Sequence, residues 1–177
     1  MADSNSQMIK HKAIVNDDWT VLRLQDGETP DNVNIDAGKI IVPLKVWLAR
    51  KTSLLNRPHR GVWLASDEAL AELGNTLDHF DVIAVDFPIF ADGRGYSLAY
   101  NLRVRLGYRG ELRAIGDVLR DQMFYLQRVG FDAFNPRPDR NIHDALKGLS
   151  DFSERYQGSW DEPLPLSSRV PRKGVKS

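Results

Sequence analysis

Asp81-Val-Ile-Ala-Val-Asp-Phe87 decides the architecture. It is apolar at both parities, which predicts a strand covered on both faces, the mark of a parallel sheet. Neighbouring segments repeat the theme. Gly61-Val-Trp-Leu-Ala65 reads as a strand, and Ser66-Asp-Glu68 then offers a helix start. Leu70, Leu73, Leu77 and Phe80 follow at helical spacing, predicting a helix between the two strands. On the carboxyl side, Leu98, Leu102 and Leu106 mark a second helix. Glu111-Leu-Arg-Ala-Ile-Gly116 reads as a third strand. Leu119, Met123, Leu126 and Val129 give a third helix, ended by Gly130. Phe131-Asp-Ala-Phe134 is a fourth strand. Asn141 with Asp144 three residues on begins a fourth helix, whose apolar face runs from Ile142 to Phe152.

The expectation is an α/β fold with four consecutive βα units and a mainly parallel sheet. An open doubly wound sheet and a half (β/α) barrel both satisfy this pattern. Residues 1–12 read as a flexible arm, and 13–157 as a single α/β domain. Within it, 13–50 form a β-rich N-terminal element and 61–152 the βα repeats. Ala13-Ile-Val15 and Trp19–Leu24 are β-prone. Pro43 limits a strand beginning at Lys39, with a turn or short helix after it. Residues 158–177 read as an extended or disordered tail.

Composition narrows the chemistry. The chain has 177 residues, 24 Lys+Arg and 24 Asp+Glu, so its formal net charge is zero. That balance gives no electrostatic case for nucleic acid or an anionic membrane. Arg103, Arg105, Arg109 and Arg113 read as solvated surface. There is no cysteine, which excludes disulfides, thiolate metal sites and cysteinyl iron–sulfur clusters. No stretch is long and apolar enough for a membrane helix, and no secretory signal pattern is visible, so a cytoplasmic setting is expected.

In parallel α/β folds ligands sit beyond the carboxyl ends of the strands. The βα loops there are rich in charge. The candidate site comprises Asp86, Asp117 and Asp121 as acid/base groups, with Asp92, Arg94, Tyr96, Arg120, Gln122, Asn135 and Arg137 as ligand-binding groups. Asp92-Gly-Arg-Gly-Tyr-Ser97 could cradle a phosphate, sulfate or other small anion. Arg94 would neutralise its charge and Arg120 would clamp it. Read as a dinucleotide fingerprint the loop fails, because Leu98 stands at the third glycine position. The alternative is that its glycines make a turn and Ser97 caps a helix. Asp86, Asp92, Asp117 and Asp121 could also be salt-bridge partners, and no metal is assigned to them. The four histidines, His11, His59, His79 and His143, share no metal-ligand spacing.

Phe87-Pro-Ile-Phe-Ala-Asp-Gly-Arg-Gly-Tyr-Ser-Leu-Ala99, Leu112-Arg-Ala-Ile-Gly-Asp-Val-Leu-Arg-Asp-Gln122 and Gly130-Phe-Asp-Ala-Phe134 carry a family resemblance. They are similar to the bacterial domain of unknown function numbered 934, over roughly residues 35–157. Members are often labelled "oxidoreductase probably involved in sulfite reduction" and are encoded beside assimilatory sulfite reductase in many proteobacteria. The resemblance implies a role in sulfur assimilation and cysteine biosynthesis but supplies no catalytic residues. Sulfite reduction moves six electrons through sirohaem and an iron–sulfur cluster, and this chain has no cysteine to ligate the cluster. The expected role is therefore an accessory factor acting through assimilatory sulfite reductase or its cofactor. A small-molecule enzyme or anion-binding domain built on Asp92–Ser97 is the alternative. No cofactor is assigned, and a half barrel with open edges would favour a homodimer.

Overall fold

The computed structural model describes residues 6–88 and 93–150, the side chain of Ser150 excepted. Asp92, Phe90 and the 158–177 tail lie outside the described residues.

Eight strands form one sheet: β1 Gln7–Lys10, β2 Ala13–Asn16, β3 Trp19–Val21, β4 Lys39–Pro43, β5 Gly61–Ala65, β6 Val82–Phe87, β7 Glu111–Gly116 and β8 Ala133–Phe134. Their order is β2-β1-β8-β7-β6-β5-β4-β3. All pairs from β3 to β8 are parallel. The β1–β2 hairpin joins β8 antiparallel.

The helices are α1 Leu44–Leu54, α2 Arg94–Tyr100, α3 Arg120–Val129 and α4 Ile142–Lys147. Successive parallel strands lie side by side in chain order, so right-handed crossovers place every helix on one face. Burial agrees. Val62, Leu64, Ile83, Val85, Leu112 and Ala114 share a core with residues of all four helices. The alternate positions Ile41, Val82, Ala84 and Ile115 form a separate cluster with Trp19, Val21 and Trp63 and no helical residue.

That second face is buried without a helix over it because the sheet curls. β2 and β3 are its two edges, yet only Asp17 and Asp18 separate them. Three Cα steps span at most about 11 Å. Seven strand gaps laid flat would hold the edges roughly 33 Å apart. The sheet is thus a curled half-barrel, mostly parallel, and the expected half (β/α) barrel describes it better than the doubly wound sheet. The two edges approach each other at Asp17–Asp18, and β2 and β3 are not paired there.

Three expectations need correction. The pattern is not four regular βα units, because Ser66–Phe80 makes two 3₁₀ turns, Leu70–Leu73 and Leu77–His79, instead of an α-helix. Gly74 turns the chain with φ +54° between them, and the leucine spacing suits either form. The 1–12 arm gives way at Gln7 to a strand, since Met8 and Ile9 are buried against the sheet. The 13–50 element does not stand apart from the βα repeats: its strands supply part of the sheet at both edges.

Pro43 ends β4 and its extended conformation starts α1, where Leu44, Val46 and Trp47 are buried. α2 passes into a π-turn over Asn101–Arg105. α3 buries Met123 and Leu126 as its spacing predicts, and Phe124 beside them, and Gly130 ends it. Asn141 caps α4 by accepting from the His143 and Asp144 amides. Among the described residues no helix is long and apolar enough to cross a membrane.

Candidate functional site

The inner parity of β6 runs Val82, Ala84, Asp86, so Asp86 closes an apolar row at the carboxyl end of the sheet. It is only 9% exposed, and a carboxylate that buried needs a partner. Arg23, two residues past β3, supplies it with a forked bond: Nη2 to Oδ1 at 2.9 Å and Nη1 to Oδ2 at 3.3 Å. The guanidinium lies 5.1 Å from the Trp63 ring centre, whose Nε1 donates to the Leu22 carbonyl. Trp63 thus fixes both the Arg23 backbone and its head.

On the next strand Gly116 pairs with Phe87, and the Asp117 amide donates to the Phe87 carbonyl at 2.7 Å. Arg137 reaches Asp117 Oδ1 at 3.2 Å and Asp139 Oδ2 at 2.9 Å. Its bond to Asp139 raises the guanidinium further above its ordinary range. Arg23, Asp86, Asp117 and Arg137 border one open depression of about 560 Å³, with Phe87, Pro88 and Gly116 in its wall.

A second depression, of about 420 Å³, lies outward along α3 and α4. Arg120 bonds Asp144 there at 2.8 Å, and Asp121 and Asp139 line it. The predicted site is therefore divided. Asp86, Asp117 and Arg137 come together, whereas Arg120 and Asp121 belong to the second depression. α3 begins at Arg120, so Asp117 precedes it and does not share a helical face with Asp121. Arg94 borders neither of these two depressions, so it and Arg120 do not clamp a ligand in either. Tyr96 packs edge-on against Phe87, 5.8 Å between ring centres, and burial raises its phenol pKa. Gln122 accepts the Leu119 amide as a helix cap. Asn135 turns inward to Asp17, its Nδ2 donating at 3.3 Å. Asp92 is outside the described residues.

The glycine-rich loop also reads differently. Gly93 is the α2 N-cap and Ser97 lies within the helix, so Ser97 does not cap it. A Cβ on Gly95 would stand 2.5 Å from Phe87 Cε1, so this glycine serves helix–strand contact. Among the described residues no group of three or more His, Asp or Glu side chains could hold a metal ion.

Sequence reasoning missed an ionic cluster on the inner face. Arg113, read as solvated surface, is 1% exposed. It donates to Asp17 at 2.9 and 3.0 Å and to Glu111 at 2.7 Å, and Lys10 adds a 2.7 Å bond to Glu111. Arg103, read the same way, is 3% exposed. It donates to the carbonyls of Gly130, Tyr108 and Gly110. The available signal was parity: Arg113 alternates with Leu112 and Ala114 in a strand buried on both faces, and Arg23 continues the row Trp19, Val21.

No curated protein matches the chain. A family model described as a bacterial protein of unknown function matches residues 61–167, more than half of the chain. That match begins at β5 and takes in β6, β7 and β8, the strands whose carboxyl ends carry Asp86, Asp117 and Arg137. The chain belongs to this family of bacterial proteins of unknown function, DUF934.

Proposed function

We propose that the protein is an accessory factor of assimilatory sulfite reduction in the cytoplasm, acting through the reductase or its cofactor. Its working surface is the carboxyl edge of the sheet. The observation that carries this reading is the convergence of Arg23, Asp86, Asp117 and Arg137, from four separate segments, on one open depression. The depression is shallow and its charges are already paired, so it suits a polar partner surface better than an enclosed substrate. The absence of cysteine supports an accessory role over electron transfer through a cysteinyl cluster. Within the Asp92–Ser97 loop, Gly95 is accounted for by packing on Phe87.

Growth tests the role. A strain lacking the gene and any paralogue should fail on sulfate or sulfite and grow on sulfide or cysteine. Complementation with Arg137→Glu should fail while the purified variant keeps its circular dichroism spectrum. Normal growth of the deletion strain on sulfate overturns the reading. Full complementation by the folded Arg137→Glu protein removes this surface from it.

A further inference from the structure

The helices carry an apolar surface on the side turned away from the sheet. Of the five large apolar side chains exposed among the described residues, four lie there: Tyr100 of α2, Val104 of the π-turn, Leu106 just after it and Tyr125 of α3. Each is between 41% and 51% exposed. Such a grouping marks an interaction site, where scattered single side chains would not. We propose that this surface docks a partner protein through a segment whose apolar side chains are flanked by carboxylates. It shares no residue with the carboxyl-edge depression, so the assignment does not rest on the role proposed above.

The fold brings the four side chains together. α2 follows β6 and α3 follows β7, and these strands are parallel neighbours, so the two helices run side by side in one direction. They pack on each other. Tyr100 is the seventh residue of α2 and Tyr125 the sixth of α3, which sets them at the same height. Leu98, Ala99, Met123 and Leu126 take the inward side, leaving both tyrosines outward. Arg103 locks the arrangement. From the π-turn it donates to the carbonyl of Gly130, the C-cap of α3, and to those of Tyr108 and Gly110. With Arg103 drawn inward, Val104, Arg105 and Leu106 face out in succession. A surface fixed before binding loses little entropy on docking.

Charge selects the occupant. Arg94, Arg105 and Arg109 are exposed, and Arg128, one turn from Tyr125, is half-buried. Asp121 is the one acidic residue of α2, the π-turn and α3, and none stands between Gly93 and Gly110. In a chain of zero formal net charge this is a local excess of base. Tyrosine and arginine, without lysine and nearly without acid, is the composition of a protein interface. A second copy would set arginines against arginines. Single-stranded nucleic acid would stack on the tyrosines but gives no use to Val104 and Leu106.

Selection of a random-peptide display library on the immobilised full chain tests this. Enriched peptides should combine Leu, Ile, Phe or Trp with Asp or Glu. A synthetic copy of the strongest should bind in solution by fluorescence anisotropy, less well as salt is added. Val104→Asp and Tyr125→Asp, at exposed positions, should each weaken it about tenfold or more, and Arg105→Glu should weaken it too. Lys45→Glu, the same charge change on α1, should leave binding unaltered. Circular dichroism identifies the folded variants. The assignment is overturned by no enrichment, by enriched peptides without acids, or by undiminished binding to folded Val104→Asp, Tyr125→Asp or Arg105→Glu protein. It is overturned equally by a dimer in sedimentation that Val104→Asp dissociates, or by oligouridylate binding in place of the peptides and losing affinity in the same variants.

Discussion

Arg113 sits mid-strand with Asp17 and Glu111 both within hydrogen-bond distance. A buried ion pair adds little net stability over a well-packed apolar substitute, but removing one member strands the other. Arg113→Met should therefore cost about 3–5 kcal/mol in urea unfolding. Combining it with Asp17→Asn should cost less than the sum, by roughly 0.5–3 kcal/mol. Strict additivity would show that the two groups do not act as a pair. Asp132 makes a different prediction. Its carboxyl is raised from the ordinary 3.8 chiefly by burial, so the folded chain binds that proton more tightly than the unfolded chain. Its contribution is greatest below the unfolded pKa and is lost as pH rises from about 4 through the raised folded value. Glu68, also raised by burial, acts with the same sign. Asp132→Asn keeps an acceptor for the Leu112 amide and should flatten the decline without abolishing it, measured as urea midpoints against pH. An unchanged slope would refute the assignment.

At the scale of elements, α2 meets β6 through Gly95. The Phe87 ring beneath it is held between Tyr96 and Phe131, with ring centres 5.8 and 5.9 Å away. It cannot swing aside, so Gly95→Ala should cost about 1–3 kcal/mol by overpacking. A stability loss in the absence of any ligand is what separates this role from a phosphate cradle. The elements also show what the sequence made legible. β5 and β6 could be read because their runs are apolar at both parities, and α3 because one face repeats every three to four residues. Ser66–Phe80 was misread because leucines three and four apart serve 3₁₀ turns as well as a helix, and Gly74 settles the outcome locally. Of the candidate site, Asp86, Asp117 and Arg137 were placed by topology alone. Arg23 and the Arg113 cluster were not, because their partners stand 63 and 96 residues away in the chain. Nothing local encodes such pairs.

The whole molecule depends on its first strands. β1 covers the edge of β8, and Asp17 bonds Arg113 and Asn135 from the junction between β2 and β3. Removing residues 1–17 takes away both strands of the hairpin and the Asp17 carboxylate paired with Arg113 together. The truncated chain should self-associate through the bared β8 edge and bind a hydrophobic dye, while the full chain does neither. A monodisperse, dye-silent truncation would show that the hairpin is dispensable to the sheet.

The short Asp17–Asp18 link has a consequence for synthesis on the ribosome. The amino-terminal strands emerge first, yet the partners of Asp17 and Ile9 come at the far end of the fold, 118 residues on in the case of Asn135. Met8 and Ile9 must therefore stay unpaired with that edge while nearly the whole domain is made. Closure comes last in order, and such long-range contacts are slow to form. The nascent chain passes through a stage with its central strands assembled and its leading strands still waiting, the interval in which a chaperone would find most to hold.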